Sequence, residues 1–101
     1  MSRLMSVIAK YPYMAKMGIE WDDDFSIMAS LDTMYETFIG EEGEHDYKEY
    51  WATAFRIDEI IRHSQKSRKY NIQSGLLYEV SEIDEPRVIS IDGKIIWERD
   101  R

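Results

Sequence analysis

Apolar residues between positions 46 and 64 recur at helical spacing. At 100° per residue, one side of this stretch collects Tyr47, Tyr50, Trp51, Ala54, Ile57 and Ile61. Charged residues such as Lys48, Glu49 and Glu59 fall on the opposite side. The pattern predicts an amphipathic helix around which the rest of the chain is organised.

A second run of helical spacing lies between residues 25 and 39. Its apolar members are Phe25, Met28, Leu31, Tyr35, Phe38 and Ile39. Three aspartates, Asp22, Asp23 and Asp24, stand directly before the run, which favours a helix start because carboxylates cap the first turn and match the helix dipole. The polar segment 41–45 then allows the chain to turn back. The two runs together predict an antiparallel helical hairpin.

Shorter helical segments are predicted nearer the N-terminus. Over residues 3–11 the apolar residues share one face, and Pro12 ends or kinks that helix because it lacks the backbone N–H. Residues 13–17 continue as a second short turn, which Gly18 would terminate in a left-handed conformation.

The last quarter of the chain has the composition of β-strands. The sequence Asp92-Gly93 between residues 88–91 and 94–97 predicts a two-residue hairpin with a type I′ turn, because Asp-Gly accepts the two positive φ angles. The expected register pairs Ile89 with Ile96, and Arg87 with Glu98 as an ion pair. Residues 76–83 fit a strand or a helical face. We expect a strand there, since the turn at residues 84–86 would bring it beside the hairpin.

These elements predict a single α+β domain over residues 1–101. Its N-terminal helices, including the antiparallel helical hairpin, would pack on a C-terminal three-stranded antiparallel β-meander and bury Trp97 and Val88. With 44% hydrophobic residues, 13% aromatic residues and no cysteine, the chain should fold without disulfides. No apolar run is long enough for a membrane span. We therefore expect a cytoplasmic protein.

Charge is distributed unevenly along the chain. The net charge is −7, and residues 1–60 hold 13 acidic against 5 basic side chains, whereas residues 61–101 hold 7 against 8. The acidic half should repel nucleic acid and attract a basic partner. The surplus of aromatic and methionine residues also suits a protein interface.

No catalytic motif is present. The chain lacks a phosphate-binding glycine loop, a nucleophile elbow and a Ser/His/Asp arrangement, so we expect no enzyme and no cofactor. His45 and His63 lack the spacing of metal ligands, so no metal site is expected. Asp58 is the one catalytic alternative, because it lies within the apolar side of the predicted helix and could have a raised pKa in the pocket of a small enzyme or enzyme subunit. An ion pair with Arg62, one turn on, explains it more simply.

The function predicted is protein binding, by an accessory or inhibitory factor of the kind that phages or mobile elements carry. It would target a basic surface of its partner, such as one that binds nucleic acid, and a homodimer is compatible. The residues predicted to bind the partner are Asp22, Asp23, Asp24, Glu41, Glu42, Glu44, Asp46 and Glu49. A helix would separate the two acidic groups by roughly 22 Å.

Nucleic-acid binding is the alternative that the basic residues support. A cluster of cations follows the second predicted helix, where phosphates could be held and a base could stack on an aromatic ring. Its members are Arg62, Lys66, Arg68, Lys69 and Tyr70.

Overall fold

Six antiparallel strands form one sheet in the computed structural model, which describes residues 1–100. The elements are α1 (Arg3–Ile8), β1 (Lys16–Glu20), β2 (Ser26–Ile39), β3 (Lys48–Arg62), α2 (Gln65–Lys69), β4 (Leu77–Ser81), β5 (Val88–Ile91) and β6 (Lys94–Glu98). The strand order across the sheet is β4-β3-β2-β1-β5-β6. None of the helices in residues 1–100 is long and apolar enough to cross a membrane.

The predicted α+β fold with a helical hairpin on a three-stranded meander is wrong. The two stretches expected to be helices are the longest strands, β2 and β3, and they pair with each other from Ser26 opposite Arg62 to Ile39 opposite Lys48. The prediction that residues 25–39 and 46–64 lie side by side and antiparallel described the right neighbours in the wrong secondary structure. Ile61, expected in the buried arc, is 58% exposed.

β-Bulges explain why these strands resemble helices in the sequence. The β2–β3 register shifts three times, which leaves Asp32, Asp58 and Ile61 as extra residues in the ladder. Each extra residue changes the spacing of core-facing side chains from two to three, so that Ile57 is followed by Ile60 on the same face. A spacing of three is also what a helix produces. Between the bulges the alternation is regular, with Thr53, Phe55 and Ile57 buried.

The hydrophobic core lies on one face of the sheet, where α1 covers it. The expected helix over residues 3–11 is confirmed in part, since α1 ends at Ile8, and its Leu4, Met5 and Ile8 side chains are fully buried. The other core residues come mainly from the four central strands: Met17, Ile19, Trp21, Phe25, Ile27, Ala29, Leu31, Phe55, Ile57, Val80, Ile89 and Trp97. Burial of these side chains is the main force that holds the sheet.

The C-terminal hairpin is confirmed. Asp92 and Gly93 have φ angles of 51° and 78°, as a type I′ turn requires, and Ile91 pairs with Lys94. The outer register is wrong, because a bulge shifts Ile89 from Ile96 to Trp97. The expected Arg87–Glu98 ion pair is replaced by one between Arg87 and Glu20, 3.4 Å apart.

The strand expected within residues 76–83 exists, but it lies at the opposite edge of the sheet from the hairpin. β4 pairs with β3 through residues 77–81 and does not contribute to a meander with β5 and β6. Tyr78 holds it there by packing on Trp21 and Phe25, with ring centroids 5.2 and 5.3 Å away. This contact joins residues more than 50 positions apart, which no local turn signal encodes.

The expected helical turn before Gly18 is also wrong, because residues 16–20 form β1. Gly18 lies within that strand, where a Cβ atom would stand 2.9 Å from the Ser90 hydroxyl, so the glycine permits close approach of β5. The three aspartates do not cap a helix. They form the β1–β2 turn, in which Asp24 has a φ of 67° and Asp23 accepts a hydrogen bond from the Phe25 N–H.

Candidate functional site

A two-stranded arm, residues 36–50, projects from one end of the sheet. The last β2 residue that pairs with β1 is Ser30, and the last β3 residue that pairs with β4 is Ala52. Farther out, β2 and β3 pair with each other from Thr37 opposite Tyr50 to Ile39 opposite Lys48, with no third strand from residues 1–100 beside them. An isolated hairpin of this kind gains little stability from its own contacts.

The arm combines concentrated negative charge with exposed apolar side chains. Its six carboxylates belong to Glu36, Glu41, Glu42, Glu44, Asp46 and Glu49, and with Lys48 as the one cation they give a net charge of −5 out of −7 for the chain. Phe38 and Ile39 are 59% and 51% exposed at its end. The Phe38 ring packs on the Tyr47 ring across the arm, with centroids 5.7 Å apart.

The ionisation of Tyr47 reports the electrostatic field of the arm. Its hydroxyl donates a hydrogen bond to Glu49 over 3.0 Å, and this bond is the main reason why the pKa of Tyr47 is raised. Desolvation and the charges of Glu49, Glu42 and Glu36 raise the pKa further. Three of the six carboxylates therefore act on one hydroxyl, and a cation at that position would be stabilised.

A cavity of about 420 Å³ lies at the other end of the β2–β3 ladder, beside the β1–β2 turn. Its floor is aromatic, formed by Trp21, Phe25 and Tyr78, whose rings contact one another at centroid distances of 5.2 to 5.4 Å. Its rim carries Asp23 on the β1–β2 turn, with Asp84 and Glu85 on the segment after β4. We call this cavity the aromatic pocket.

The aromatic pocket retains negative charge after its internal ion pair is formed. Arg99 pairs with Asp22 and donates a second hydrogen bond to the Glu85 carbonyl oxygen. Lys66 then faces three remaining carboxylates on the pocket wall. Burial raises the pKa of Tyr78 at the floor, and the charges of Asp84 and Asp23 raise it further.

The acidic residues predicted from the sequence lie in two separate places. Glu41, Glu42, Glu44, Asp46 and Glu49 are on the arm, whereas Asp22 and Asp23 line the aromatic pocket and Asp24 pairs with Arg62 at 3.7 Å. A 14-residue strand separates the groups by roughly 40 Å rather than the ~22 Å of a helix. The longest dimension of the molecule is 42 Å, so the two groups occupy opposite ends.

The basic residues of the nucleic-acid alternative are divided among different contacts. Arg62 ends β3 in its ion pair with Asp24, and Lys66 lines the aromatic pocket. Lys66, Arg68 and Lys69 lie on α2, a short helix that follows β3 and is capped by Ser64. The Lys69 ammonium lies 5.6 Å from the centre of the Tyr70 ring, and that ring is 63% exposed.

Asp58 does not have the environment of a general acid. It is a bulge residue on the open face of the sheet, where its carboxylate accepts hydrogen bonds from the Ser30 hydroxyl at 2.6 Å and the Lys16 ammonium at 3.1 Å. The Ser30 hydrogen bond, followed by the interactions with Lys16 and Arg56, lowers the pKa of Asp58 despite partial desolvation. This direction is opposite to the raised pKa of the catalytic alternative, and Lys16 takes the place of Arg62 as its partner.

The structure brings no metal-binding cluster together within residues 1–100. No group of three or more histidine, aspartate and glutamate side chains converges there in a way that could hold an ion. His63 instead lies with Nδ1 3.2 Å from the Ser67 hydroxyl, beside the N-terminus of α2.

Sequence reasoning missed the apolar end of the arm and the aromatic floor of the pocket. Phe38 and Ile39 were expected in a buried helical face, and Tyr78 was expected in a meander. The run of Thr, Tyr, Phe and Ile residues over 33–39 is a β-strand composition that could have indicated the arm. The pocket had no such signal, because its floor joins two segments, residues 21–25 and Tyr78, that are more than 50 positions apart.

Comparison with known proteins gives one match that covers the chain. The family model described as "Cognate immunity protein YxxD" matches residues 1–101. No curated protein and no solved structure matches.

Proposed function

Because this chain belongs to the YxxD family of cognate immunity proteins, we propose that it neutralises a partner toxin by direct binding of its arm to a basic surface of that toxin. Family membership supports a small, protein-binding, inhibitory factor that acts without catalysis. The basic surface and the arm as the contact are our inference from the structure. The observation that carries it is the −5 charge of the arm around exposed Phe38 and Ile39.

The arm has the composition of an interface with an apolar centre. Side chains that lose contact with water at the centre of an interface supply most of its affinity, and surrounding charges speed the encounter and select the partner. Phe38, Ile39 and Tyr47 would form the centre, and the six carboxylates would surround it. The position of the arm beyond β1 and β4 lets it enter a concave surface without a clash from the body of the sheet.

A binding experiment with arm variants tests the proposal. The wild-type chain is used to isolate its partner from the source cells, and the affinity of the purified pair is measured by calorimetry. The double variant Phe38→Ser, Ile39→Ser should weaken binding by roughly 10-fold to 1,000-fold, since two anchor side chains are lost. Circular dichroism should show that the fold is retained.

The matched control is Ile61→Ser, which removes an equally exposed apolar side chain from the far end of β3. It should leave affinity within about twofold of wild type. The variant Glu41→Gln, Glu42→Gln should lower the association rate and weaken its dependence on salt. Equal affinities for wild type and all arm variants would refute the arm as the binding surface.

The compartment and the assembly state complete the proposal. A sequence without cysteine suits a reducing compartment, which supports a cytoplasmic location. The exposed apolar end of the arm also suits pairing of two copies in the free protein. Light scattering distinguishes the monomer of 12.1 kDa from a homodimer of twice that mass.

A further inference from the structure

The aromatic pocket is the second feature of the molecule that suits a ligand. It lies roughly 40 Å from the end of the arm, so its chemistry is independent of the arm's charge at physiological salt, where the Debye length is about 8 Å. Its volume of about 420 Å³ is within the range of pockets that hold a ligand group, and it leaves room for a long side chain with its aliphatic stem.

We propose that the aromatic pocket binds a cationic side chain, an arginine or a lysine, that the partner toxin presents. This inference rests on the proposed function, because a cognate immunity protein meets a protein partner. The acidic rim and the aromatic floor are the two components with which proteins bind guanidinium and ammonium groups.

The rim favours a cation over an anion. Arg99 is already engaged by Asp22 and the Glu85 carbonyl, so it is not free to attract a negative ligand. Asp84 and Glu85 have no side-chain hydrogen bond or ion pair to another residue of the described chain. Asp23 uses one carboxylate oxygen on the Phe25 N–H and keeps the other available. Lys66 leaves these three carboxylates with a surplus of two negative charges.

The floor adds a second, independent attraction. A cation that passes the rim meets the rings of Tyr78 and Trp21, whose faces attract positive charge. Burial, and then the charges of Asp84 and Asp23, raise the pKa of Tyr78, so the negative charge of the rim extends to the floor. The charged end of an arginine or lysine side chain would therefore be attracted both at the rim and at the floor.

The test is an NMR titration of the full-length chain with N-acetylarginine methylamide. The Trp21 indole N–H should shift in a saturable way, with a dissociation constant in the millimolar range that a single side chain provides. The citrulline analogue has the same shape without the charge, and it should shift Trp21 at least about fivefold less. Equal responses to the two probes, or no saturable response to either, would overturn the proposal.

Variants locate the effect in the pocket. Asp84→Asn, Glu85→Gln removes two rim charges and should weaken the arginine probe about fivefold, as expected for two partly exposed charge contacts. Glu41→Gln, Glu42→Gln removes the same charge from the arm and should leave the titration unchanged. If both variants titrate like wild type, the pocket is not the site.

Binding of the purified partner separates this inference from the proposed function. If the rim variant weakens partner binding, the pocket contributes to the interface. If partner binding depends on the arm and is unchanged in the rim variant, the pocket inference fails while the proposed function stands. If the arm variants bind the partner as wild type does, but the arginine probe still gives a saturable shift of the Trp21 indole N–H, only the proposed arm contact fails.

Discussion

Two identical substitutions, Ile57→Val and Ile61→Val, distinguish the observed sheet from the helix that the spacing suggests. In a helix these residues lie one turn apart on the same buried face, so the two substitutions would cost similar amounts of stability. In β3, Ile57 is 1% exposed, whereas Ile61 is a bulge residue that is 58% exposed. Both substitutions keep a β-branched side chain, so strand propensity changes little.

The expected cost follows from burial. Removing one methylene at Ile57 forfeits about 0.8 kcal/mol of transfer free energy, and an unfilled cavity raises the loss to as much as about 1.5 kcal/mol. At Ile61 more than half of the side chain is already in water, which leaves a loss of about 0.3 kcal/mol or less. The core substitution should therefore cost at least about twice as much as the exposed one.

Urea denaturation measures the difference. With a slope of about 1.5 kcal/mol/M, Ile57→Val should lower the midpoint by roughly 0.5 to 1 M and Ile61→Val by about 0.2 M or less. The larger substitutions Ile57→Ala and Ile61→Ala should widen the gap, since a buried Ile→Ala change costs about 2 to 5 kcal/mol. Equal midpoint shifts within each pair would place both side chains in the same environment and refute the strand register.

Three further predictions concern polar contacts and a turn. Asp58→Ala should cost about 1 kcal/mol at pH 7. Because folding lowers the pKa of Asp58, its contribution to stability is fully present above its ordinary pKa of 3.8 and is lost as the pH falls below that value. In denaturation curves, the difference in unfolding free energy between wild type and Asp58→Ala should therefore shrink at low pH. Glu82→Ala should lower the free energy of unfolding by about 1 to 3 kcal/mol, since the carboxylate accepts hydrogen bonds from the backbone N–H groups of Trp51 at 2.7 Å and Ser2 at 2.5 Å. Hydrogen exchange at these two amides should be faster in the variant than in wild type, and equal rates would contradict the prediction. Gly93→Ala should lower stability by about 1 kcal/mol because the φ of Gly93 is 78°, which an alanine adopts only with strain. A Cβ at this position would meet no atom within 4 Å, so the backbone strain is the expected cause. An unchanged melting temperature would contradict the type I′ turn.

Local signals in the sequence determined the elements that depend on neighbouring residues. The Asp92-Gly93 turn and the strands on either side of it are confirmed, because positive φ angles and β-branched residues act within a few positions. The first helix is confirmed in part, since its apolar face was readable but it ends at Ile8, before Pro12. The concentration of carboxylates over residues 36–50 was equally readable, and family membership supports the protein-binding function that this charge suggested. The partner's surface stays a proposal.

Only the tertiary structure decided the identity of the two longest elements and the places where function is proposed. The bulges at Asp32 and Asp58 follow from pairing between β2 and β3, so a periodicity of three within one strand cannot be told from a helix until its partner is known. The arm exists because β1 does not extend beside β2 beyond Ser30, and β4 does not extend beside β3 beyond Ala52. The aromatic pocket exists because Tyr78 reaches Trp21 across the sheet. Each of these features is a contact between distant segments, whose free energy appears only when the chain is folded.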